Sequence, residues 1–70
     1  MNPTYTAITK QDKGWWIGWI EEVPGVNAQE RTKEALLLSL REILREALEF
    51  NRAEARESAR DNYTEEPVSV

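Results

Sequence analysis

The chain predicts an α+β fold: an antiparallel three-stranded meander beside one main amphipathic helix, with a possible closing strand, in the order β-β-β-α-β. Three observations carry this. Two short β-branched and aromatic runs flank Gln11-Asp12-Lys13-Gly14; a Val23-Pro24-Gly25-Val26 turn follows; and a capped run with helical spacing of apolar residues begins at Thr32. All 70 residues are expected to form a single domain, near the lower size at which a core alone stabilises a fold.

Tyr5-Thr-Ala-Ile-Thr-Lys10 reads as the first strand from its Tyr, Thr and Ile content. Gly14 is available for positive φ where the chain reverses. The second strand, 15–21, alternates so that Trp15, Ile17 and Trp19 point one way and Trp16, Gly18 and Ile20 the other. Large apolar groups therefore occupy both faces, which a sheet with one solvated side does not need. One helix covers one face, so the other is expected to await a second polypeptide. Gly18, lacking a side chain, marks a bulge or a close approach to another backbone.

Pro24 fixes φ and Gly25 permits φ > 0, which is type II turn chemistry. A short third strand is expected over 26–29. Thr32 is the expected N-cap of a helix over 33–50, with Glu34 in its first turn where the helix dipole favours a carboxylate. At 100° per residue, Phe50, Ile43, Leu36, Ala47, Leu40, Leu44, Leu37 and Leu48 share an arc of roughly 160°, and burial of each large member is worth ~1.5–3 kcal/mol. Leu38 falls among the charges. Asn51-Arg52-Ala53-Glu54 has the form of a new cap, so a second helix over 52–60 is expected. Residues 63–70 read either as a frayed tail or as a strand, with Pro67 confining a strand to an edge.

Composition narrows function. There is no cysteine and no histidine, so the ligands that dominate transition-metal sites and the usual nucleophile–base pairs are missing. No metal or other cofactor is expected. Glu21-Glu22 is the one carboxylate pair beside a plausible pocket, and solvated rim charge explains it better than catalysis; no enzyme activity is expected. The net charge of −4 opposes a nucleic-acid footprint and suits a basic protein partner. No apolar run approaches membrane-spanning length, so a cytoplasmic location is expected. A small domain without staples commonly oligomerises, and a homodimer or higher oligomer is expected here.

Taken in order, Tyr5, Gly14-Trp15-Trp16, Pro24-Gly25-Val26, Thr32 and the leucine-rich helix through Leu36, Leu40, Ile43, Leu44 and Ala47 resemble the HicB antitoxin family. The resemblance covers Tyr5 to about Asn51 and, less distinctly, Tyr63 to Val70. It implies a partial RNase-H-like fold without catalytic acids, with 63–70 as a final strand. It also implies binding and occlusion of a small basic mRNA-cleaving toxin of the HicA type. The chain ends too soon to hold the family's added DNA-binding segment, so direct DNA binding is not expected. It departs from the pattern at Val23, Glu30, Arg31 and Ala35, which alters the strand-to-helix junction.

The resulting expectation is an antitoxin-like module in which Trp15, Trp16 and Trp19 anchor a partner or a sister subunit. Glu21, Glu22, Glu65 and Glu66 supply rim charge that aids encounter and orientation. Two alternatives stand beside it: a solitary oligomeric domain of the same fold with no toxin, and a weak single-strand nucleic-acid binder. The second lacks the interleaved basic residues that aromatic stacking platforms carry.

Overall fold

The computed structural model describes residues 4–69. It contains β1 (Ala7–Asp12), β2 (Trp15–Ile20), β3 (Asn27–Glu30) and α1 (Lys33–Ala59). The three strands form an antiparallel meander with β2 in the centre. This is the predicted α+β class with one helix on a three-stranded sheet.

The first hairpin is tighter than the sequence suggests. Lys13 and Gly14 both adopt positive φ, 51° and 84°, the signature of a two-residue loop whose twist matches the strands. Pairing therefore continues to Asp12↔Trp15, and β1 occupies 7–12 rather than 5–10. At the second turn Gly25 has φ 89° and the Val26 N–H points to the Val23 carbonyl at 3.4 Å, as a Pro-Gly type II turn requires. β3 follows one residue later than predicted.

Thr32 caps α1: its Oγ1 accepts from the Ala35 N–H at 3.1 Å. The helix then runs 27 residues without the break expected at Asn51. No glycine or proline occurs between Val26 and Glu66, and residues 52–59 are Ala, Arg, Glu and one Ser, mostly strong helix formers. Their summed propensity outweighs one Asn, so no second helix starts. The helix stops instead at Arg60, which takes positive φ (62°) and donates its N–H to the Arg56 and Glu57 carbonyls. Asn62 also sits at positive φ. The chain then turns back along the helix. Residues 63–69 form no strand, and Val70 lies outside the described residues. Pro67 and two adjacent carboxylates leave this segment little to pair or bury.

The core lies between α1 and the Trp16–Gly18–Ile20 face. Ile20, Val26, Leu36 and Leu40 are buried, with Trp16, Ile43, Leu44 and Ala47 packed around them. The apolar arc of the helix is wider than the sheet. Its margins therefore stay in solvent: Leu37 is 43 % and Phe50 66 % exposed, against the expectation that both are buried. Leu38 is exposed, as its place among the charges implied. A 27-residue helix is about 40 Å long, whereas six-residue strands span about 20 Å. The described residues accordingly extend over 51 × 22 × 16 Å, and every helical residue from Glu49 onward is exposed.

Gly18 joins the layers. It sits in the central strand opposite Thr9 and Ala28 with no bulge. A Cβ there would lie 2.8 Å from the Ile8 carbonyl oxygen, 3.1 Å from Leu36 Cδ2 and 3.3 Å from Leu40 Cδ1. Of the two roles open to it in the sequence, close approach is the one realised. At the junction, Ser39 Oγ donates to Glu30 Oε2 at 2.7 Å, so the glutamate that ends β3 ties the sheet to the helix.

Candidate protein-binding surface

Directly paired residues in an antiparallel sheet share a face, so the register defines the side that α1 leaves uncovered. Trp19 stands between Ile8 and Asn27, Ile17 between Lys10 and Gln29, and Trp15 opposite Asp12. Trp19 is 41 % and Ile8 37 % exposed; Trp15 and Ile17 are half-buried. The result is an apolar ridge along β2 flanked by polar strands. A shallow depression of ≈ 530 Å³ lies beside it, lined by Ile17, Trp19, Asn27 and Gln29.

The tryptophans divide as alternation requires. Trp16 belongs to the covered face, packed against the core, with the Lys33 ammonium 5.8 Å from its ring centroid. Trp15 and Trp19 belong to the open face. Arg31 was not singled out as a site residue from the sequence, yet its guanidinium carbon lies 3.6 Å from the centroid of the Trp15 ring. That is cation–π distance. The signal was present in the parity: Glu30 pairs with Trp16 on the inner side, so the next residue returns to the outer one.

The acidic residues are not assembled as a single rim. Glu21 and Glu22 occupy the turn at the Trp19 end of β2, both exposed. Glu22 Oε1 accepts the Thr6 N–H at 2.8 Å, pinning the chain before β1 to the turn after β2. That backbone donor holds the Glu22 carboxyl below its ordinary value. A lowered folded value means the contact contributes fully above the ordinary carboxylate range and is lost as pH falls through the folded value. In an NMR titration the Glu22 side-chain carboxyl is expected to have its midpoint below the ordinary glutamate value; a midpoint at or above it contradicts the contact. Glu65 is elsewhere, 3.2 Å from Arg56 Nε near the end of α1, and Glu66 follows it on the exposed tail. Neither joins the turn carboxylates.

Lys10, Arg31 and Asp12 are the charges on the open face itself, so it is mixed rather than acidic. Among the described residues, no group of three acidic side chains is placed to hold a metal ion, and no helix is long and apolar enough to cross a membrane. No protein-family model matches the chain, and comparison with curated proteins and with solved structures finds no match either.

Proposed function

We propose that this protein is an antitoxin-like binding module that masks a small basic, mRNA-cleaving toxin of the HicA type and self-associates. The observation that carries it is the uncovered face of β2. A 70-residue acidic domain keeps Trp19 and Ile8 in solvent beside Trp15 and Ile17, and tryptophans in such patches dominate interface energetics. In this reading Trp19 is the anchor, and Trp15, braced by Arg31, extends the contact. Glu21 and Glu22, at the Trp19 end, meet the partner's basic charge and speed encounter more than they add affinity.

The module works by occlusion, without catalysis or a cofactor, and in the cytoplasm where mRNA is found. The finer fold in this proposal is the partial RNase-H-like β-β-β-α-β unit, in which 63–70 becomes the last strand once a neighbour is present to pair with it. The order of its motifs from Tyr5 through the leucine helix supports that assignment.

The test is co-expression with the product of the neighbouring open reading frame, followed by purification and a growth assay. A small basic protein is expected to co-purify and to arrest growth when expressed alone. Trp19→Ala is expected to weaken the complex by about 30-fold or more while leaving the helical circular dichroism unchanged. Recovery of no such protein, or undiminished binding by the folded variant, overturns the assignment.

A further inference from the structure

A second surface lies between α1 and the edge strand β1, away from the tryptophan ridge. It is a groove of ≈ 640 Å³ floored by Tyr5, Ala7, Leu37, Leu44 and Leu48 and rimmed by Arg41, Arg45 and Arg52. In a protein of net charge −4 with six arginines, half of them border this one apolar channel. At 100° per residue Arg56 continues the same row. Such a rim repels a basic partner and fits an acidic segment with apolar side chains. β1 ends the sheet on this side, so its outward backbone groups are free to pair with an added strand.

The chain contains a segment of that chemistry. Tyr63-Thr64-Glu65-Glu66-Pro67-Val68-Ser69 combines apolar side chains with an acidic pair, and Val68 is 86 % exposed. One arginine of the row already holds one of its carboxylates, Glu65 on Arg56 at 3.2 Å. Lengths also agree: from Leu37 to Arg52 the groove runs about 22 Å along the helix, and seven extended residues span about 23 Å.

In the folded chain the tail lies outside its own groove, with Glu65 held on Arg56 beyond the groove's end. Arg45 lies about 16 Å and Arg41 about 22 Å along the axis from Arg56, whereas Glu66, one residue beyond Glu65, reaches under about 4 Å farther. We infer that the arginine-rimmed groove receives the 63–69 segment of a second copy, released from Arg56 and laid along β1 with Glu66 and Val68, which share one face, turned to the Arg41–Arg45 rim and the apolar floor, so that two chains exchange tails reciprocally. This deepens the self-association in the reading above and does not depend on a toxin.

The test is the solution mass of the purified full chain, measured by sedimentation equilibrium, for wild type and two charge-reversed variants. Wild type is expected as a dimer. Arg41→Glu/Arg45→Glu and Glu65→Arg/Glu66→Arg are each expected to self-associate at least ~10-fold more weakly. Their equimolar mixture is expected to dimerise, because each then meets the complementary charge, and the fourfold reversal in one chain is expected to restore dimers. That restoration excludes misfolding as the cause of the single losses. A monomeric wild type, variants of unchanged mass, or a mixture that stays monomeric overturns the inference; the last outcome assigns the tail to its own chain. Trp19→Ala leaves this dimer intact, so failure of the toxin assignment and failure of the tail exchange are read separately.

Discussion

Gly18→Val is expected to destabilise the domain strongly. Strand propensity predicts the opposite sign, because glycine weakens strands and valine favours them by up to about 1 kcal/mol. Here the space decides. An added Cβ meets the Ile8 carbonyl oxygen at 2.8 Å and two core leucine methyl carbons at 3.1 and 3.3 Å. The leucines can shift slightly, but the carbonyl belongs to a strand paired on either side of that position, at Ala7↔Ile20 and Thr9↔Gly18. Two further methyl groups push the helix off the sheet. Overpacking of this kind costs about 1–3 kcal/mol and sometimes more, against a total stability of about 4–10 kcal/mol for a chain of this length. Gly18→Ala should lose about 1–3 kcal/mol in urea unfolding, and Gly18→Val should lose more than Gly18→Ala. A valine variant as stable as wild type would mean that α1 does not sit where it is described.

Leu36→Ala is expected to cost about 2–5 kcal/mol, a large share of what a small domain has. Leu36 has no exposed surface and Leu40 1 %, and both close over Gly18. Truncation leaves a cavity at the point where helix and central strand come nearest, and the hydrogen-bonded sheet cannot collapse into it. The matched control is Leu38→Ala, 59 % exposed, which should shift the urea midpoint by no more than about 0.5 kcal/mol of stability. Equal losses at the two positions would contradict the orientation of the helix.

Local chemistry made several features readable in advance. The Gly14 and Pro24-Gly25 reversals, the Thr32 cap and the β2 alternation each depend on a few neighbouring residues, and each lies where expected. The helix C-terminus was not readable. Arg60 ends it in a positive-φ conformation usually given to glycine, and the cap-like Asn51-Arg52-Ala53-Glu54 lies inside a continuous run of helix formers. Arg31 was missed for a related reason, since its stacking on Trp15 follows from the parity of β3 rather than from any motif.

The amino-acid order by itself determined that greasy side chains would emerge on both faces of a strand, because a pleat alternates whatever surrounds it. It equally determined that one helix would be available to cover them. Only the tertiary structure decided which tryptophan went inside, how far the helix outran the sheet, and that an arginine row would border a channel beside β1. Those outcomes depend on the relative widths and lengths of packed layers, which no local window of sequence contains.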